Sequence, residues 1–249
     1  MTNNLPSTSY NKPPIIEAVI AIHFAVPLAV KELGLFSRKF KKTFPFSDDI
    51  VSIEHTFNVR TKEHVPNIRK LGYKLSSADR TRILMIQSLQ FGVIQQAPYS
   101  GWDTFSKEAR MYWNELTKIV GHKPISRVST RYINRVDIPV GAAGVVDLHK
   151  FFTLGLSLPQ YAQDMSLQAF VINCSLINTI EKYTTVLQFS AVPSPLIDHL
   201  SFTIDIDVAT IGVVEPREDK LWELIGTLRK PKNELFEACI TPDTRKLFQ

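Results

Sequence analysis

The apolar positions of the chain change period several times, and each change marks an element. Residues 15–26 are rich in Ile and Val behind Pro13-Pro14, the pattern of a buried strand, and Pro27 ends it. Residues 28–42 show helical spacing. Leu28, Leu35, Phe36 and Phe40 are the core candidates, and Lys39, Lys41 and Lys42 lie where a helix C-terminus favours cations. Strand patterns follow at 51–60, 71–76, 82–87 and 89–95. The polar run Ser77-Ala78-Asp79-Arg80 between the second and third predicts a hairpin. Residues 102–120 carry Phe105, Ala109, Tyr112, Trp113, Leu116, Ile119 and Val120 at helical intervals, and Gly121 stands where a C-terminal cap belongs.

The order then recurs. A long strand is predicted at 125–138 and a short helix at 147–154 after the loop 141–144. Strands at 167–176, 183–191 and 200–208 alternate strongly. Residues 215–229 form a helix with Pro216 in its first turn and Leu221, Leu224, Ile225 and Leu228 on one stripe. Pro231 interrupts or kinks it, 233–238 is again helical, and Thr241-Pro242 begins a short tail.

The elements therefore read β-α-β-β-β-β-α over 13–124 and β-α-β-β-β-α over 125–249, behind a disordered polar stretch at 1–12. Strands joined by hairpins imply mainly antiparallel pairing and the α+β class. Two similar, tightly joined halves are expected, with helices 102–120 and 215–229 in equivalent places. The simplest assembly is a curved sheet with the long helices on one face. Its other face, or a cleft between halves, is left for a ligand.

With 44% hydrophobic and 21% charged residues, 249 residues build a sizeable core without metals or disulfides. Cys174 and Cys239 sit in apolar runs and read as small buried hydrophobes, which fits a reducing compartment. A polar N-terminus and the lack of a membrane-length apolar run point to the cytoplasm and away from a membrane. The net charge of +5 is uneven. Residues 1–124 hold 17 Lys and Arg against 10 Asp and Glu, the remainder 12 against 14. The excess concentrates at Arg60, Lys62, Arg69, Lys70, Lys74, Arg80 and Arg82. That cluster reads either as a solvated basic face or as a surface for nucleic acid or an acidic protein.

No Gly-rich phosphate loop, C-x-x-C, H-E-x-x-H or G-x-S-x-G occurs, so no catalytic residue, metal ligand or cofactor is assigned. The informative strand is Arg127-Val128-Ser129-Thr130-Arg131-Tyr132-Ile133-Asn134-Arg135-Val136-Asp137. Alternation puts Arg127, Arg131, Arg135 and Asp137 on one face. Such a row either reads phosphate or carboxylate ligands or pairs with carboxylates of neighbouring strands. Asp205 and Asp207 share a face of their strand, opposite Phe202, Ile204, Ile206 and Val208. With no third ligand in view, they read as ion-pair partners rather than a cation site. Glu17, in an otherwise apolar strand, needs a partner and predicts a structural salt bridge. Trp102 and Phe105 read as aromatic anchors against the sheet.

Pro13-Pro14-Ile15-Ile16-Glu17-Ala18-Val19, Arg131-Tyr132-Ile133-Asn134-Arg135, Ile204-Asp205-Ile206-Asp207 and Phe236-Glu237-Ala238-Cys239-Ile240-Thr241 together resemble a sporadically distributed bacterial family of about this length. That family opens on P-P-[IV]-x-E-A-V, carries a central R-Y-I-N-R strand and closes on F-E-x-x-I-T. The resemblance implies a mobile or defence-associated setting and supplies no catalytic residue. The expected function is non-catalytic recognition of a protein or nucleic-acid partner in a defence, toxin–antitoxin or mobile-element context. Two alternatives stand beside it. One is an enzyme or sensor for a phosphorylated small ligand built on Arg127, Arg131, Arg135, Asp205 and Asp207. The other is an oligomeric structural protein.

Overall fold

The structure is a computed structural model that describes residues 10–58, 63–141, 144–155, 157–162, 165, 167–212, 214–215 and 218–249, without the side chains of 55–58 and 63–65. Strand β1 (Ile15–Phe24) is followed by helix α1 (Val30–Phe40), then β2 (Phe46–Asn58), β3 (Glu63–Ser76), β4 (Arg82–Gln87), β5 (Gln90–Gln96) and helix α2 (Trp102–Val120). The remainder holds β6 (Ile125–Pro139), α3 (Leu148–Phe151), β7 (Val171–Asn178), β8 (Tyr183–Val192), β9 (His199–Thr210), α4 (Glu218–Thr227), α5 (Arg229–Cys239) and α6 (Pro242–Lys246).

The class is α+β. The nine strands of the described residues form one antiparallel sheet in the order β2-β3-β4-β5-β1-β6-β9-β8-β7. β1 pairs with β5, the last strand of its own meander, and β6 pairs likewise with β9. β1 and β6 then join in the middle and make the sheet continuous.

Period-2 alternation decides which side chains are buried. Ala18, Ile20, Ile22 and Phe24 of β1, Val128, Tyr132, Val136 and Ile138 of β6, and Phe202, Ile204, Ile206 and Val208 of β9 enter one core cluster. The buried stripes of α1, α2, α4 and α5 join the same cluster, so these helices cover one face of the sheet. On α2, Trp113 stacks on Phe24 with ring centroids 5.9 Å apart. Gly121 ends that helix at φ 68°, where its N–H donates to the Thr117 carbonyl.

Several expectations shift. Leu33 rather than Leu35 faces the core from α1, and Leu35 is 47% exposed. The helix begins at Val30, where the Glu32 carboxylate accepts from the Ala29 N–H at 2.6 Å, and Leu33 completes the stripe of Phe36 and Phe40 at intervals of three and four. β2 starts at Phe46 and β7 at Val171, because cross-strand pairing sets strand ends more than local alternation does. The helix expected over 147–154 is the single turn Leu148–Phe151, capped by Asp147. The segment 215–238 divides into α4 and α5 at Leu228. Pro231 falls in the first turn of α5, where a backbone N–H has no helical acceptor to lose.

Residues 1–9 of the expected disordered stretch lie outside the described residues. Tyr10 to Lys12 are anchored instead. The Tyr10 ring sits edge-on to Phe248, its hydroxyl donates to Glu237 at 2.7 Å, and the Lys12 N–H donates to the Phe248 carbonyl at 3.0 Å. Cys239 is buried and Cys174 half-buried, both as free thiols. No described helix is long and apolar enough to cross a membrane.

Candidate functional site

The arginine strand β6 lies at the centre of the sheet, and its arginines occupy the face opposite the helices. Each is paired. Arg131 donates through Nε and Nη2 to the two oxygens of Asp205, at 2.8 and 2.5 Å. Arg127 donates to Asp207 at 3.1 Å and makes a long contact of 3.5 Å with His23 on β1. Arg135 pairs with Asp137 on its own strand, at 3.0 and 3.2 Å, and Asp137 also accepts from the Ser201 hydroxyl. The pairing is possible because β9 lies directly beside β6. Asp205, though hydrogen-bonded, is displaced two residues from the position opposite Arg131, so the guanidinium reaches diagonally. Burial, then the neighbouring Arg127, holds His23 below its ordinary pKa, with Asp207 opposing.

Glu17 departs from expectation. It forms no ion pair among the described residues and instead accepts a long hydrogen bond from Gln96 at 3.4 Å. It lies opposite Ile133, at the side of the arginine row. Its partner is an amide because the strand on its other side, β5, brings Gln96 into register.

The basic cluster is dispersed. Arg60 and Lys62 lie outside the described residues. Arg69 and Lys74 are exposed. Lys70 pairs with Asp49 at 2.5 Å and covers the Tyr73 ring, Arg80 rests over Phe46, and Arg82 pairs with Glu108 of α2 at 2.7 Å. Lys74 pairs in register with Met85, and Met85 and Arg82 point to opposite faces of β4. The run therefore divides between the two sides of the sheet. Among the described residues no group of three or more His, Cys, Asp or Glu side chains is placed to hold a metal.

The helix-covered side holds a different arrangement. A cavity of about 400 Å³ opens between the start of α2, helix α5, the N-terminal segment and β6. Tyr132 and Asn134 form its floor. They belong to the arginine strand but point away from the arginines. Tyr99 and Trp102 form one wall, and Arg229, Lys232 and Glu237 project from α5.

Lys232 is 7% exposed, and its ammonium lies 3.7 Å from the centroid of the Tyr132 ring. Burial, then the nearby Arg229, lowers its pKa to about 7, with Glu237 opposing. Glu237 is engaged elsewhere. It accepts from Tyr10 at 2.7 Å and from Arg245 Nε at 2.9 Å. Arg229 reaches over the Trp102 ring, 5.8 Å from its centroid. Among the described residues neither Arg229 nor Lys232 has an ion-pair partner. Tyr99 and Tyr132 share a hydrogen bond of 3.1 Å between their hydroxyls. Burial first, and then their mutual contact, keeps Tyr132 well above the usual phenol range. Burial likewise raises Tyr99, although its hydrogen bond to Tyr132 opposes the change.

The sequence carries a signal for this centre that the strand pattern of the arginine row does not show. Leu221, Ile225, Leu228, Lys232, Phe236 and Cys239 recur at intervals of three and four, so a lysine stands in an apolar stripe. All six are buried. Breaking the helix at Pro231 hid the continuity.

No protein-family model matches the chain, and no curated protein matches it.

Proposed function

We propose that this protein binds a small organic anion in the cavity between α5 and the sheet. The observation that carries this reading is that Lys232 and Arg229 face one cavity and neither is ion-paired among the described residues. The local acid, Glu237, is already taken by Arg245 and Tyr10. A buried cation without a counter-charge is costly, and a carboxylate or phosphate on a ligand offsets that cost. Tyr99, Trp102 and Tyr132 offer aromatic surface for the rest of such a molecule, and the volume suits a small ligand. The anion site thus moves from the arginine row, where each guanidinium already has a carboxylate, to the opposite side of the same strand.

The test uses benzoate and phenyl phosphate as probes, followed by thermal unfolding and calorimetric titration of the full chain. Either probe should raise the melting temperature, and Arg229→Gln should weaken that effect at least tenfold. No stabilisation by either probe, at concentrations up to the millimolar range, removes the reading.

Recognition of a macromolecular partner is the second reading, and the helix-free face favours it. There the ladder Arg127–Asp207, Arg131–Asp205 and Arg135–Asp137 crosses the middle of the sheet. Three cations balanced by three carboxylates suit a mixed-charge protein surface better than a nucleic acid. A place in bacterial defence, a toxin–antitoxin pair or a mobile element rests on the resemblance of the four motifs alone. The pairing of β1 with β5 and of β6 with β9 supports reading 13–124 and 125–249 as two copies of one plan.

A further inference from the structure

We propose that the Lys232 amine is a nucleophile that condenses with an aldehyde or ketone bearing an acidic group, which Arg229 receives. This rests on the anion-binding reading of the cavity and adds a covalent step to it.

Three features of the site point the same way. First, the Lys232 ammonium lies over the Tyr132 ring and forms no ion pair among the described residues, since Glu237 is held by Arg245 and Tyr10. Burial, then the neighbouring Arg229, makes it lose its proton more readily, and the amine is available near neutral pH. Second, Arg229 precedes Lys232 by one helical turn on α5, so a guanidinium and an amine line the same cavity. A 2-oxo acid or an acidic aldehyde presents those two groups with an anion and an electrophilic carbon. Third, the hydroxyls of Tyr99 and Tyr132 keep their protons and both residues line the cavity, so it holds proton donors.

The step balances without an oxidant or reductant. The amine lone pair forms an N–C bond to the carbonyl carbon, and the C=O π pair moves to oxygen. The nitrogen gives up its two protons and the oxygen receives two in all, relayed through the tyrosine hydroxyls. Water leaves as the C=N bond forms. The charged and titratable groups around Lys232 are Arg229 and Glu237 on α5, Tyr132 on β6, Tyr99 before α2 and Tyr10 from the N-terminal segment.

Glyoxylate is the probe, with sodium cyanoborohydride to reduce the imine in the intact protein, and peptide mapping locates the label. Lys232 should acquire one carboxymethyl group ahead of the exposed lysines. Its labelling rate should level off above pH 7–8, whereas surface lysines keep accelerating toward pH 10. Lys232→Met should lose that label while keeping the wild-type circular dichroism spectrum. Arg229→Gln should slow labelling by glyoxylate at least tenfold and leave labelling by propanal unchanged.

Label spread over exposed lysines with Lys232 unmodified overturns the proposal, and the anion reading then stands or falls on benzoate binding alone. Equal labelling by propanal and glyoxylate overturns the acid-receiving role of Arg229. If benzoate also fails to bind in that case, the anion reading fails with it.

Discussion

The guanidinium of Arg131 grips both oxygens of Asp205 across the β6–β9 pairing, and the two ends of this bond differ in their access to water. The Asp205 side chain is 11% exposed and that of Arg131 is 45% exposed. Loss of the arginine leaves a nearly buried carboxylate without its partner, whereas loss of the carboxylate leaves a cation that water can reach. Solvent screening at the arginine end keeps the pair below the strength of a fully buried one.

Arg131→Ala should therefore destabilise the protein by about 2 kcal/mol, and Asp205→Ala by about 1 kcal/mol. Urea unfolding of the two variants measures both. Equal costs, or a larger cost for Asp205→Ala, would show that the asymmetry in burial does not govern this pair.

Lys232 makes stability depend on pH in a defined window. Its folded pKa of about 7 lies below the ordinary 10.5, so between those values the unfolded chain holds a proton that the folded chain has released. Stability consequently rises with pH above about 7, by up to roughly 1.4 kcal/mol per pH unit. Above pH 9 the Cys239 thiol works in the opposite direction, because burial pushes its pKa up to about 12. Lys232→Met should be more stable than wild type at pH 6, and that advantage should shrink between pH 7 and 9. A constant difference across this window would mean that Lys232 does not titrate there.

Gly72 should tolerate no side chain. A Cβ at this position would lie 2.0 Å from the Ile86 carbonyl oxygen on the neighbouring strand. Because the opposing atom is backbone, the β3–β4 ladder must separate to admit it. Gly72→Ala should cost at least about 2 kcal/mol, and Gly92→Ala, whose Cβ would meet Met85 at 3.7 Å, much less. Chemical denaturation of the pair compares them directly.

The division of the basic residues between both sides of the sheet predicts weak association with nucleic acid. Retention of the protein on a single- or double-stranded DNA matrix should be slight at low salt and should vanish by about 0.2 M, because few phosphates are neutralised together. Tight binding with a steep salt dependence would restore nucleic acid as the partner.

Much of the secondary structure was legible because it depends on local periodicity. Residues 102–120 form α2 over the same span, since a stripe of Phe105, Ala109, Tyr112, Trp113 and Leu116 buries only as a helix. The faces of β6 and β9 were equally readable. A pleated strand separates Arg131 from Tyr132, and Asp205 from Ile206, whatever lies beside it. Local pattern thus decides which residues share a surface. The identity of their neighbours came from the tertiary structure alone. Asp205 meets Arg131 because β9 lies between β6 and β8, with β7 at the outer edge. Glu17 meets Gln96 because β5 closes onto β1. Lys232 stands over Tyr132, one hundred residues earlier in the chain, because α5 packs across the sheet beside β9. Alternation and helical stripes act over a few residues, but a charge finds its partner, or goes without one, only when distant segments are brought together.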